Sequence, residues 1–524
     1  MSADPAAGPD PVLRTEVLVY GATAAGVCAA VAAAELGAEV TLLEPGRHVG
    51  GMTSGGLGYT DLGDARVVGG LAQRFRHAVA EHYGVAPGHY AGPEPHVAEG
   101  LLRGWLEQAG VSLLLDQRVS AVDQRDGRIE VVRTAAGLAV RAGVVVDASY
   151  EGDLLAAAGV PAVVGRESRD TYGESLAGRQ ELLPGRHTMP PWISPFAEDP
   201  DGRHAGPLLP QIKPEPLAEV GAGDGGVMAY GYRACLTTAA DRIPFDRPAD
   251  YDEGYWELGR RLFRHWAAEG AVVSADRLLG LEPNLPAGKC DANSLGPFSL
   301  NVLDGSAWAY PLAAEPRREE IREHHRRHTR GLLHFLRSDP AVPAGVRGEL
   351  DRWGWPREEF PDSGGMPHQL YVREARRMVG PLVLTEHDLR RPVPQPDTVA
   401  LGSYHLDVRE VQRAWRWMPE HPDPVAMVVT EGYLSVRVPA YPIPYRALLP
   451  AEQDASNLLV PVCLSASAVA FSSIRMEVQY QMLGQAAGTA AVLALRHATS
   501  VQRVDTDALR EQLTRAGAVL DAPG

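Results

Sequence analysis

Two short segments of this 524-residue chain gather side chains that can grip an anion or move a proton. In MPHQLYVREARR (366–377), Arg373, Arg376 and Arg377 stand three or four apart, on one face if the segment is helical. Guanidinium forks so arranged clamp a carboxylate or phosphate, although a salt-bridge cluster with Glu374 explains the pattern equally well. His368 precedes that expected helix, where a ring can face a cavity. In GSYHLDVREV (402–411), Tyr404 and His405 form a second group, and a neutral imidazole suits proton abstraction near pH 7. Arg475 and Glu477 pair with each other or face a bound ring, and Tyr441, Tyr445 and Arg446 are further pocket candidates. RREEIREHHRRHTR (317–330) mixes Arg with Glu at helical spacing and reads as a solvated helix. No HxH, HExxH or Cys/His cluster is present, so no metal is expected.

The elements that must hold such groups are clearest at the N-terminus. Glu16–Tyr20 reads as an apolar strand, Ala24–Leu36 as an Ala-rich helix ended by Gly37, and Glu39–Leu43 as a second strand. This is a βαβ unit. Its turn, Gly21-Ala-Thr23-Ala-Ala-Gly26, sits where a pyrophosphate meets a helix N-terminus, with Thr23 at the middle glycine of GxGxxG. Glu44 ends the second strand, where a ribose hydroxyl needs an acceptor. GGMTSGGLG (50–58) is too glycine-rich for helix or strand and lets backbone approach a flat ring. A nicotinamide enzyme has no use for this second loop, whereas a flavoprotein has. GAGDGG (221–226) also matches GxGxxG, but no helical pattern follows it, so it reads as a plain loop.

Residues 111–149 alternate apolar runs and turns, suggesting an antiparallel meander that ends in a strand at Asp147–Ser149. From about 165 to 440 Pro, Trp, Arg and His rise and regular patterns thin out. NLLVPV (457–462) and MLGQAAGTAAVLALR (482–496) then return to the texture of the N-terminus. The expected organisation is a disordered leader (1–14), a nucleotide domain in two parts (15–165 and 441–500), an inserted α+β substrate or cap domain (166–440), and a C-terminal helix and tail (501–524). A net charge of −16 argues against nucleic acid and anionic membranes as partners. Four cysteines without a CxxC pair favour a reducing compartment. No signal-peptide pattern or apolar span stands out, so a cytoplasmic protein with no membrane partner is expected.

The segments GATAAGVCAAVAAAELGAEVTLLEP, GGMTSGGLG, VVDASYEGDLLAAAGV, GRESRDTYGESLAG, KCDANSLGPFSLN, SGGMPHQLYVREARRMVG and FSSIRMEVQYQMLGQAAGTAA, running from about 15 to 496, resemble the bacterial FAD-dependent oxidoreductase family. That resemblance implies an α/β fold with a Rossmann-like FAD-binding domain of glutathione-reductase type, and FAD as cofactor. It assigns Gly21, Thr23, Ala24, Ala25 and Gly26 to the pyrophosphate, Glu44 and Pro45 to the adenosine ribose, and Val119 to the adenine. Gly51, Met52, Thr53 and Ser54 would line the flavin, with Ala148, Ser149 and Asp153 closing over the cofactor. Gly484 and Gln485 would open a helix whose N–H groups face flavin N1 and O2, where negative charge gathers on hydride uptake. The sequence departs from the family pattern at His405, where Asn is expected, and at Arg409, where His is expected. The expected activity is hydride transfer from a CH–OH or CH–NH group of a small polar metabolite to flavin N5, with His405, His368, Arg373, Tyr404 and Arg475 as catalytic candidates. The expected partners are that substrate and O₂ or an external electron acceptor. A lyase or isomerase that retains FAD without net redox, or a non-catalytic flavin-binding protein, are the alternatives. The oligomeric state stays open, a homodimer included.

Overall fold

A computed structural model describes residues 12–89, 92–183, 185, 187–418 and 424–522. The N-terminal βαβ unit is present as strand β1 (Val12–Tyr20), helix α1 (Ala24–Glu35) and strand β2 (Val40–Leu43). The first strand starts at Val12 rather than Glu16. Val12, Leu13 and Arg14, expected in the leader, instead pair with Ala139, Val140 and Arg141. This end of the strand is partly exposed and follows directly on a Pro-, Ala- and Asp-rich stretch, which hid it. Residues 1–11 of the expected leader lie outside the described residues.

Helices α2 (Gly70–Tyr83) and α3 (Pro95–Gln108) follow, then β3 (Ser112–Leu114) and the meander β4 (Val119–Arg125), β5 (Arg128–Thr134) and β6 (Ala139–Asp147). The sheet order is β3-β2-β1-β6-β5-β4, and the late strand Leu458–Leu459 adds to β6 in parallel, Leu458 beside Val145. Strands from both ends of the chain thus share one α/β sheet. β1 to β3, β6 and the late strand are parallel, and β4 and β5 are antiparallel.

Helix Glu477–Arg496 packs on α1 with almost no side chain between them. A Cβ on Gly484 would lie 2.1 Å from the Ala25 carbonyl oxygen, and one on Gly488 would lie 2.1 Å from that of Ala29. Two small-residue faces with the same four-residue spacing let the backbones meet. Buried apolar side chains run on from Val17 and Ala29 through Tyr230, Trp256 and Phe335 to Leu483 as one connected core. Helix Glu315–Ser338 is solvated on one side, with pairs such as Arg317–Glu320. Its other side departs from the expectation: Arg318, His325 and His328 are buried, Arg318 on Asp153 at 2.6 Å, His325 on Ser306 and His328 on Tyr255 and the Ser299 carbonyl. No described helix is long and apolar enough to cross a membrane.

Candidate functional site

The strand order reverses between β2-β1 and β6, and open α/β sheets bind ligands beyond the strand ends at such a switch point. Here the crevice is lined by two backbone turns. Gly21 has φ +90°, and a Cβ there would stand 2.9 Å from Ser149 N, so the turn lies flush against Ala148 and Ser149. A Cβ on Gly26 would lie 1.9 Å from the Gly21 carbonyl oxygen. Thr23 explains how the imperfect glycine pattern works. Its hydroxyl accepts from Gly26 N at 3.2 Å and donates to the Ala148 carbonyl at 2.8 Å, so it is turned into the protein as the N-cap of α1. The N–H groups of Ala24 and Ala25 are among those that helix geometry leaves without an intrahelical partner.

Glu44 ends β2 with its carboxylate accepting from Ala22 N and Gly46 N, both at 2.7 Å, and Pro45 lies in the bend that follows. Burial pushes the Glu44 pKa up to about 7, and the two backbone hydrogen bonds only partly oppose this. Val119 opens β4, its N–H donating to the Tyr20 hydroxyl at 3.3 Å. Asp147 accepts from Ser149 and Leu155 N, which shapes the Ala148–Gly152 turn. The Asp153 carboxylate is committed to Arg318 and Arg376.

The glycine loop is tied to both halves of the site. Gly50 N donates to Ala22 O at 2.7 Å. Met52 N donates to the Tyr150 hydroxyl, which in turn donates to Glu477 at 2.7 Å, and the Thr53 hydroxyl donates to the other Glu477 oxygen at 2.9 Å. The Ser54 hydroxyl bonds to Val49 O. Glu477 therefore joins the loop to the start of helix Glu477–Arg496. This corrects the expected role of Gly484 and Gln485. They lie in the third turn of that helix, not at its opening; Gly484 packs on Ala25, and Gln485 accepts from Leu71 N at 2.7 Å. The N-terminal N–H groups belong to the turn beginning at Glu477.

Burial pushes the Glu477 pKa up to about 7 against hydrogen bonds from Tyr150 and Thr53. The folded protein consequently binds a proton there that the unfolded chain releases near the ordinary carboxylate value. The stability this contributes is complete below about pH 4 and is lost as pH rises through about 7, on the order of 3 kcal/mol. Glu477→Gln is expected to gain stability relative to the parent between pH 5 and pH 8 by that order. Urea unfolding at the two pH values checks it.

A third group of side chains collects around Arg475, which ends helix Ala468–Ile474. Arg475 donates to the Tyr371 hydroxyl at 3.1 Å and to the carboxylate and carbonyl of Asp407, both at 2.9 Å. His405 Nε2 stands 3.8 Å from Asp407, and the rings of Tyr404 and His405 lie 4.1 Å apart. Tyr404 also bonds to Asp61, whose pKa is raised by burial despite Arg233, that bond and Arg475. Burial would raise the Asp407 pKa as well, but His405, Arg475 and Arg409 outweigh it and hold the carboxylate well below its usual range.

Segment 366–376 is irregular, not helical, and runs into Arg377–Met378, a strand paired with Ala162–Val163. The three arginines expected on one helix face therefore separate. Arg373 is buried over the Tyr371 ring at 4.4 Å and bonds to Ala229 O. His368 stacks on His48 at 3.8 Å, and burial with the nearby His48 drives its pKa down to about 3. Arg475 and Glu477 do not pair with each other. Tyr445 bonds to Val501 O and Arg446 to Asp397, both structural contacts, while Tyr441 reaches Ser473. Ser473 in turn holds the Tyr404 carbonyl.

Asp61 and Asp407 escaped the sequence reading. Asp407 carried a signal, since i and i+2 in a strand share a face and His405-Leu-Asp407 enters one. Asp61 carried none. Among the described residues Glu94, His96 and Glu359 have metal-ligand spacing, but Lys289 already ion-pairs with both glutamates.

The family model for FAD dependent oxidoreductases matches residues 16–513. No curated protein sequence matches the chain. Among solved structures, L-proline dehydrogenase from P. horikoshii is 18% identical over 30% of this chain and 59% of its own, with TM-score 0.24. The 3-ketosteroid-delta4-(5alpha)-dehydrogenase from Rhodococcus jostii RHA1 is 20% identical over 26% and 47%, with TM-score 0.20. OxyS anhydrotetracycline hydroxylase from Streptomyces rimosus is 17% identical over 32% and 39%, with TM-score 0.24. This chain thus spans less than two thirds of the length of each.

Proposed function

The chain belongs to the FAD-dependent oxidoreductase family, and from that premise we propose that it takes a hydride from a CH–OH or CH–NH group of a small polar metabolite. FAD is the cofactor of the family. The groups available for it are backbone N–H donors at Ala24 and Ala25 for the pyrophosphate, Glu44 for the ribose, and the Gly51–Ser54 loop with the start of helix Glu477–Arg496 for the flavin. Buried polar atoms without a protein partner support the fit: Gln479 Nε2 in the first turn of that helix, Arg475 Nε just before it, and both ring nitrogens of His368. When bound, FAD supplies a two-electron acceptor at flavin N5.

The observation that carries the reading is the group of partly buried Tyr371, Tyr404 and His405 around buried Asp407 and Arg475, beside the start of that helix. His405 receives the substrate proton, and Asp407 stabilises the imidazolium that forms. Tyr404, its O–H donating to Asp61 and its carbonyl held by Ser473, lines the substrate side of the group, while Arg475 helps keep Asp407 ionised. In this reading residues 166–440 supply the substrate-facing groups, and residues 15–165 and 441–500 the cofactor frame. The 221–226 loop runs on without a helix, which favours O₂ or an external carrier as acceptor over a built-in nicotinamide site.

Anaerobic mixing with alcohols, amines and hydroxy acids tests the reading: a substrate bleaches the oxidised flavin band. Bleaching by NADPH alone, with none of these metabolites active, would reverse the proposed direction. His405→Asn is expected to slow flavin reduction about 100-fold or more, with FAD content unchanged in the purified protein.

A further inference from the structure

The VREARR run (372–377) carries three arginines with different fates. Arg376 lies on Asp153 and the Glu151 carbonyl. Arg377 is fully buried and pairs with Glu167 and Glu374. Arg373 is nearly as deeply buried, yet among the described residues no carboxylate pairs with it. Its side-chain hydrogen bond goes to one carbonyl, that of Ala229, and its guanidinium lies over Tyr371.

The acids nearby are already spent. Glu410 is taken by His187 at 2.7 Å, Asn301 at 3.0 Å and Arg409 at 3.6 Å, and Asp407 by Arg475 and His405. The other cations acting on Arg373 are Arg409 and Arg475. Burial, with these like charges, pushes the Arg373 pKa down to about 9. A guanidinium in such a place is a surplus positive charge taken out of water, and that costs several kcal/mol unless a counter-ion meets it.

Resting on the function proposed above, we propose that Arg373 is the anchor for a carboxylate of the substrate, so that the metabolite oxidised beside Tyr404 and His405 is a small carboxylic acid. The planar fork of arginine matches the planar carboxylate, which can accept two parallel N–H bonds. One surplus cation balances one carboxylate, whereas a phosphate dianion would exceed it. Tyr371 links the two ends of the site, since its ring carries Arg373 and its hydroxyl receives Arg475.

Binding to the oxidised, FAD-loaded enzyme tests this without turnover. Calorimetric titrations would use acetate, propionate and benzoate against acetamide, propionamide and benzamide, with methyl phosphate as a further arm. The expected result is that at least one acid binds ten times more tightly than its amide. Arg373→Met should reduce that acid to the level of its amide, and Arg373→Lys should weaken it about tenfold, since lysine keeps the charge but not the fork. Equal binding of acids and amides overturns the proposal, as does an acid preference surviving in Arg373→Met or unchanged in Arg373→Lys. Tighter binding of methyl phosphate than of every acid overturns the carboxylate assignment. If Arg373→Met fails to fold, the parent and Arg373→Lys titrations still decide. Failure here leaves the flavin-bleaching experiment standing, and failure of bleaching leaves this binding result intact.

Discussion

Gly484→Val is expected to cost at least about 3 kcal/mol and to yield protein that loses FAD during gel filtration. The reason is geometric. A Cβ at this position would stand 2.1 Å from the Ala25 carbonyl oxygen and 2.9 Å from the Ala25 Cα, and neither atom belongs to a side chain that can turn aside. Helix Glu477–Arg496 would have to move off α1, and its first turn would move with it, breaking the Glu477 bonds to Thr53 and Tyr150. FAD loss and destabilisation are therefore coupled, although Gly484 lies more than a full turn from the helix start. Gly104→Ala in α3 is the matched control. A Cβ there meets nothing within 4 Å, so the ordinary helix preference applies and the variant should be neutral or more stable by up to about 1 kcal/mol. Urea unfolding and flavin absorbance per protein distinguish the pair. If Gly484→Val holds FAD at full stability, the close contact of the two helices is wrong.

The same glycine shows what could be read from the residues and what could not. The βαβ unit, its turn and the antiparallel strands β4 to β6 were legible because each obeys a local rule: apolar strand, small-residue helix, glycine where φ is positive; Ser112–Leu114, expected in the same meander, pairs in parallel with β2 instead. GQAAG was legible as helical, but its place along the helix was not. The preceding EVQYQ is polar enough to look like loop, and only the buried partners Tyr150 and Thr53 make Glu477 acceptable at the start of a buried helix. The VREARR run failed differently. Its spacing suits a helix, but Arg377–Met378 is drawn into a strand with Ala162–Val163, a pairing some 215 residues apart that no local pattern announces. The Arg475–Asp407–His405 group is likewise a product of tertiary packing: the i, i+2 spacing of His405 and Asp407 is local, but Arg475 reaches them from 68 residues away.

Arg475 is where packing and chemistry are hardest to separate, and a pair of substitutions separates them. Arg475→Met should destabilise the protein by about 3–5 kcal/mol, because it leaves Asp407 as a buried carboxylate without its main counter-charge. Adding Asp407→Leu removes that orphan and should restore most of the stability, since a buried ion pair is often replaceable by apolar side chains of similar volume. Flavin reduction should not return with it. Without Asp407 nothing stabilises His405 as an imidazolium, and without Arg475 the Tyr371 hydroxyl loses its donor. The double variant should thus fold, yet reduce the flavin it retains about 1000-fold more slowly, the middle of the range for losing acid–base catalysis. Thermal unfolding read beside anaerobic stopped-flow reduction gives both quantities on one preparation. Recovery of rate together with stability would make the ion pair purely structural. Recovery of stability alone locates the chemistry at the Arg475–Asp407–His405 line, because the fold would then be intact while the only groups missing are the two charges that hold His405 ready to accept a proton.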